Sequence, residues 1–322
     1  MFKFVIYNEL VLTHNILLMK SYSRVLFISV ICSFLVLQAH AEDSDTTSVK
    51  KSSFVIGLKY LSNNVYLGRI DSANIMYLVP SIAYVHKSGL HIGASFSYQL
   101  DAGLNKIDAI ALDGGYDYKI GEKFSGGLSI EKYFFDMNSI SLNSMTDLGV
   151  GSNFAYDFDF VTVNASAGLG FNEKVDVITE LGITKSFEFD KFSVEPGIKL
   201  FADTQNYYNQ YLVAGKSHLS GNKGKGKGQA VAKGKSGTTT TTTTASTVAA
   251  TYTVAAASTY KVLDYEFSIP LAYTFHNLKF DVVPTFAIPV NAATILSSTG
   301  TVKKEAISNH FTLQVGASYT FK

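Results

Sequence analysis

The sequence predicts an all-β fold, a single antiparallel up-and-down β-barrel of about twelve strands that crosses a membrane. Three observations predict it. Apolar and polar residues alternate with period two through segments of about ten residues, the length a tilted strand needs to span a hydrocarbon layer. The connections alternate between tight turns and longer loops, a parity that a soluble sandwich has no reason to keep. The composition, with 25 Gly, 23 Phe, 19 Tyr and no Trp in 322 residues, favours pleated surfaces joined by close turns.

Residues 1–41 read as a signal peptide: Lys20 and Arg24 precede the apolar run Val25–Leu37, and Ala39-His40-Ala41 follows as a cleavage site before Glu42. The apolar core of about 13 residues is short of the roughly 20 a spanning helix needs, so a retained anchor is the weaker reading. Met19, directly before Lys20, makes a better start than Met1. The only cysteine, Cys32, lies in this removed segment, and the mature chain has no disulfide. A closed barrel needs none, because backbone hydrogen bonds join its edges. Residues 42–52 form a short tail.

The barrel is expected over 53–322. Its strands are read near 53–67, 75–86, 90–100, 106–119, 124–135, 145–157, 160–171, 175–189, 192–207, 260–275, 278–290 and 306–321. Leu90–Leu100 shows the pattern: Leu90, Ile92, Ala94, Phe96, Tyr98 and Leu100 face one way, and His91, Gly93, Ser95, Ser97 and Gln99 the other. The even-numbered strands end in tight turns, at Lys87-Ser88-Gly89, Ile120–Lys123, Asp157–Asp159, Asp190-Lys191 and His276-Asn277. Longer loops follow most odd strands, the longest near 208–259. The tight turns then mark the periplasmic side.

Aromatic rings prefer the headgroup level. An inner girdle is expected of Tyr84, Tyr118, Phe124, Tyr156, Phe158, Phe160, Phe189, Phe192, Tyr273, Phe275 and Phe321, all near the tight turns or the C-terminus. An outer girdle is expected of Tyr60, Tyr66, Tyr98, Phe134, Phe135, Tyr207 and Tyr208. Prolines 80, 196, 270, 284 and 289 remove ladder hydrogen bonds, so bulges or strand ends are expected there.

Charge decides which face is which, since a Lys facing lipid costs about 2 to 4 kcal/mol at the midplane. One register carries few charges, chiefly Asp108, Lys132 and Lys185, near strand ends where they can snorkel. The other carries Lys59, Asp113, Asp117, Lys119, Glu131, Glu180, Glu188, Glu195, Lys199, Asp203, Asp264, Glu266, Lys279 and Asp281. These are the candidate lumen-lining residues, ten acidic and four Lys.

The last nine residues, QVGASYTFK, keep the alternation almost to the final atom, where most termini fray. Gln314, Gly316, Tyr319 and Phe321 match a polar-x-Gly-x-x-aromatic-x-aromatic pattern, and on them the chain resembles Gram-negative outer-membrane β-barrel proteins. The resemblance implies that these four residues recruit the barrel-assembly machinery. Lys322 extends one residue beyond the usual terminal aromatic.

Other chemistry finds little support. The segment 215–244 contains two Gly-Lys-Ser steps, but the P-loop glycine is replaced by Gln229 before one and Gln210 before the other. The segment reads as a surface loop whose lysines at 216, 223, 225, 227, 233 and 235 attract lipopolysaccharide phosphates. His91 and His310 face inward from opposite ends and cannot share a site, and no Cys/His metal spacing is present. No enzyme, cofactor or nucleic-acid partner is expected, and the net charge of +1 selects no partner.

Twelve strands about 4.8 Å apart and tilted about 40° give a backbone diameter of roughly 24 Å, between filled eight-stranded barrels and open porins. The expected function is a small passive or solute-specific channel with a cation-leaning lumen. The alternative is a closed structural or adhesive barrel acting through its long loop.

Overall fold

A computed structural model describes residues 51–70, 75–100, 106–137, 139, 141–214 and 252–322. The signal-peptide reading, the start at Met19 and the lysines of 216–235 lie outside the described residues.

The strands in chain order are β1 (Ser53–Leu61), β2 (Val65–Tyr66), β3 (Arg69–Ile70), β4 (Tyr77–Val85), β5 (Leu90–Gln99), β6 (Lys106–Ile120) and β7 (Phe124–Phe135). A 3-10 turn, Leu142–Met145, precedes β8 (Leu148–Asp157), β9 (Thr162–Phe171), β10 (Asp176–Thr184), β11 (Phe187–Phe189), β12 (Phe192–Val194) and β13 (Gly197–Asp203). Helix α1 (Asn206–Val213) follows, then β14 (Tyr252–Val254), β15 (Lys261–Ser268), β16 (Leu271–Phe275), β17 (Leu278–Pro289), β18 (Thr294–Ser297), β19 (Val302–Lys304) and β20 (His310–Phe321).

Fifteen of these strands form one sheet. Three staves are each interrupted once, β10 into β11, β12 into β13 and β15 into β16, so the ring has twelve staves. It closes between the ends of the chain, with β1 antiparallel to β20 from Phe54 opposite Phe321 to Leu61 opposite Gln314. The patterned terminus is therefore pinned because it is one edge of the closing seam.

Alternation sorts the side chains as the period of two requires. Phe54, Ile56 and Leu58 on β1, Leu90, Ile92 and Phe96 on β5, and Phe311, Val315, Tyr319 and Phe321 on β20 are exposed on the outer surface. So large a continuous apolar surface is stable only against lipid. Among the described residues no helix is long and apolar enough to cross a membrane; the strands make the crossing. Every expected inner-girdle ring lies at the short-turn end, and Phe54–Tyr84, Tyr156–Phe158 and Tyr319–Phe321 pack with centroids 4.8, 4.6 and 4.6 Å apart. Two-residue hairpins close at Asp190-Lys191 and His276-Asn277, where Asp190 and His276 take positive φ of 53° and 55°.

All five prolines sit where the ladder is broken. The β4–β5 pairing skips Val79 and Pro80, Pro196 and Pro270 occupy stave interruptions, and Pro289 ends β17. Pro284 faces the Ile269-Pro270 interruption, outside both flanking ladders. The interruptions align into one seam across four staves. There Lys185, Glu195 and Ile269 each donate a backbone N–H to the carbonyl of a proline on the next stave, Pro196, Pro270 and Pro284, at 3.1, 2.9 and 3.2 Å. Proline cannot donate but can still accept, so the wall holds and the strand number stays at twelve.

The structure departs from the sequence reading at the loop end. Strand one stops at Leu61 rather than 67, and the ninth stave stops at Asp203 rather than 207. Tyr66, Tyr207 and Tyr208 are not girdle residues: they pack together on the lumen side. Phe135 also turns inward, since Phe134 holds the outward position beside it, and it stacks on Tyr133 at 5.8 Å. Asp108 was expected on the lipid register. A β-bulge pairs Ser97 with Ala109 and Tyr98 with Ile107, leaving Asp108 as the extra residue. It is buried and accepts a hydrogen bond from Ser139 Oγ at 3.0 Å. A second bulge, opposite Phe201 and Ala202, adds the buried Leu263 in the same way.

A ring closed on itself, greasy outside and charged inside, with short turns at one end and longer loops at the other, is an outer-membrane barrel with its short turns in the periplasm.

Candidate functional site

The lumen is two environments stacked along one axis. At the loop end it is filled by a cap. Leu67, Leu142, Tyr207, Tyr208, Tyr211, Leu212, Val254, Ala293 and Ile295, all from the loop side, form one buried cluster with Leu263 of the wall.

Two local structures build the cap. The first is the β2–β3 hairpin, whose two-residue turn places Leu67 at φ 51° and Gly68 at φ 74°, the left-handed conformation that such tight hairpins demand. A Cβ on Gly68 would lie 2.7 Å from Asp264 and 2.9 Å from Pro289, so the hairpin tip is pressed against the far wall. The second is α1, where Tyr207, Tyr208, Tyr211 and Leu212 recur at helical spacing on its buried face. Its N-cap residue Gln205 makes no side-chain cap bond. Asp176 of β10 substitutes, accepting the N–H groups of Asn206 and Tyr207 at 2.8 and 2.7 Å and the Thr204 hydroxyl at 2.6 Å. A carboxylate at a helix N-terminus satisfies orphan donors and complements the dipole.

One ion pair ties the cap together. Arg69 donates from Nε and Nη2 to both oxygens of Glu305, at 2.9 and 3.0 Å, and from Nη1 to Leu67 O at 3.0 Å. Glu305 also accepts the Ala293 N–H at 2.8 Å, and Arg69 lies 5.8 Å from the centre of the Tyr208 ring. Both side chains are buried. Tyr66 meets Tyr207 edge-on at 4.9 Å. Burial pushes the phenols of Tyr66, Tyr207 and Tyr208 up, so they stay neutral.

Below the cap the wall is charged and open. Lys59, Asp113, Asp117, Lys119, Glu131, Glu180, Lys199, Asp264, Glu266, Lys279 and Asp281 fall on the register opposite the exposed apolar side chains. Glu195 lies in the interruption between β12 and β13. Lys59, Asp117, Lys119, Glu131 and Lys279 are exposed to the lumen, whereas Asp264 is fully buried beneath the hairpin. Lys199 pairs with Glu180 at 2.8 Å, and His91 Nδ1 lies 3.2 Å from Asp117. His310 starts β20 at the outer end, so the two inward histidines stand at opposite ends of the barrel.

Inward glycines make room for these carboxylates. A Cβ on Gly93 would lie 2.5 Å from Asp113, and one on Gly127 would lie 2.6 Å from Asp117. Gly316 belongs to the same scheme: its Cβ would lie 2.5 Å from Asp281, which also takes a long hydrogen bond of 3.4 Å from Gln314. The C-terminal pattern thus divides between faces, with Gln314 and Gly316 inward and Tyr319 and Phe321 outward.

Two cavities in the lumen are lined by described residues. One of about 300 Å³ is lined by β7 to β10 and Tyr66; the other, of about 190 Å³, is lined by β1, β15, β17, β20 and Val65. Adjacent residues of one hairpin strand therefore line separate cavities. Sequence reasoning missed the cap and placed its Tyr66, Tyr207 and Tyr208 in a girdle, although the Leu67-Gly68 turn and the tyrosine spacing from 207 to 211 were the signals for it.

No protein-family model matches the chain, and no curated protein matches it. Among solved structures the chain is similar to the KdgM porin, at 13% identity over 83% of this chain and 99% of that one, with a TM-score of 0.42. It is similar to the NanC porin at 8% identity, over 83% and 98% of the two chains, with a TM-score of 0.43. It is also similar to the COG4313 outer membrane channel from Pseudomonas putida F1, at 9% identity over 87% and 100%, with a TM-score of 0.43. What the lumen does is read from this chain's own residues.

Proposed function

We propose that the chain is a small cation-preferring channel whose outer mouth is closed by its own loops. One observation carries this reading: Lys59, Asp117, Lys119, Glu131 and Lys279 point into the lumen and remain exposed there. Ionised groups cost several kcal/mol each in a dry interior, so this space holds water. The obstruction above it is made of loop segments, not of staves, and can move without breaking the ring.

Preference for cations follows from the balance of charge. Of the fourteen candidate lumenal charges, ten acidic and four Lys, Asp203 and Asp264 are buried under the cap, which leaves eight acidic residues against four lysines. A ring of carboxylates raises the local concentration of cations. Planar-bilayer recording under a salt gradient tests this. The expected reversal potential has the sign of cation flow; an anion-selective current would contradict the reading.

The packed cap with its buried ion pair favours a second reading, a closed barrel that serves the cell surface as a structural or adhesive element. Absence of current both in the parent and in a variant with the Arg69–Glu305 pair broken would select it. The assembly role of Gln314, Gly316, Tyr319 and Phe321 and the contact of the 216–235 lysines with lipopolysaccharide remain part of the same proposal.

A further inference from the structure

The larger cavity has a lining unlike the rest of the lumen. Its floor is backbone, because Gly149, Gly151, Gly168 and Gly170 occupy inward positions on β8 and β9 where other staves carry side chains. Glu131 and Tyr133 of β7 form one side, with the Tyr133 hydroxyl donating to Glu131, and Asp113 stands opposite Glu131 in the cross-strand register. Tyr66 of the cap hairpin bounds the cavity from above. No Lys, Arg or His is among the described residues that line it.

Such a lining repels anions and attracts a positive group. A carboxylate with a second beside it supplies the charge, and the phenol rings offer faces to a cation. The volume of about 300 Å³ lies at the low end for small-molecule sites, enough for one ring and not for a chain. We propose that this cavity binds a small ammonium-bearing solute about the size of one sugar ring. Its charged nitrogen sits at Glu131, its body lies over the glycine floor, and its edge meets Tyr66 and Tyr133. The proposal rests on the channel reading for the route by which the solute arrives, while binding itself is measured separately.

The test is calorimetric titration of the detergent-purified full chain with glucosamine, using glucose as the uncharged isostere. Glucosamine is expected to bind at least tenfold more tightly than glucose, and Glu131→Gln to remove that advantage. Gly149→Leu is expected to abolish binding. A Cβ at Gly149 meets nothing within 4 Å, so the new side chain grows into the cavity without disturbing the wall. Equal affinity for the two sugars, or unchanged glucosamine binding in the folded Gly149→Leu protein, overturns the proposal. Conductance of the same preparations separates the two readings. Current without glucosamine binding removes the site alone, whereas binding without current, in the parent and in Arg69→Ala alike, supports the site and removes the channel.

Discussion

On β6, Asp108 is 1% exposed and the side chain of Asp117, nine residues further along the same lumen-facing wall, is 65% exposed. The same contrast recurs on β17, where Ala287 is buried and Lys279 is open. The register is inward throughout; what differs is what stands in front of it. At the outer end the loops supply tyrosines, leucines and one satisfied ion pair, and at the inner end no described residue covers the wall. The comparison teaches that the barrel and its contents are separate pieces of construction. The wall is held by ladder hydrogen bonds, mostly between successive strands and at the seam between β1 and β20, and the cap by contacts between loops far apart in sequence.

Breaking the cap should therefore leave the wall intact. The largest effect is expected from Arg69→Ala, which strands Glu305 as an unpaired buried carboxylate at a cost of about 3 to 5 kcal/mol. Proteolysis is expected to cut the loops of this variant quickly, while the barrel keeps its compact mobility on an unheated SDS gel. Tyr211→Ala should come next, since deleting a buried aromatic side chain costs about 3 to 5 kcal/mol before the surroundings relax. Hydrogen exchange should speed up in α1 and in β14 beside it, and not in β4 to β9. Asp176→Asn should be milder, about 0.5 to 2 kcal/mol for a weakened N-cap, seen as faster exchange confined to α1. The smallest effect belongs to the open half. Asp117→Asn should lower the cation-to-anion permeability ratio by less than a factor of about two, because a solvated charge is screened.

The same division explains what could be read from sequence. Each stave writes its own pattern within a stretch such as Phe124–Phe135, so the strands were legible, with ends correct to within about four residues except on the first, which stops six residues early at Leu61. The proline positions were legible for the same reason, being rules about single residues. The cap was not, because its main ion pair joins residues 236 apart and no local pattern announces a partner at that distance. Asp108 was assigned to the wrong face because strict alternation cannot foresee a bulge, which shifts the register by one residue. Tyr207 and Tyr208 illustrate a further limit. An aromatic pair beyond the end of a strand suits a membrane girdle and a buried helix equally well, and only the helical spacing to Tyr211 separates the two.

The central claim is that a movable cap closes a hydrated, charged lumen. Single-channel recording of the parent beside Arg69→Ala tests it most directly. The account predicts rare openings in the parent and long-lived, cation-selective openings in the variant, with closure restored when the charges are exchanged in the double variant Arg69→Glu, Glu305→Arg. A silent bilayer for both parent and Arg69→Ala, with barrels shown to be folded, would contradict it.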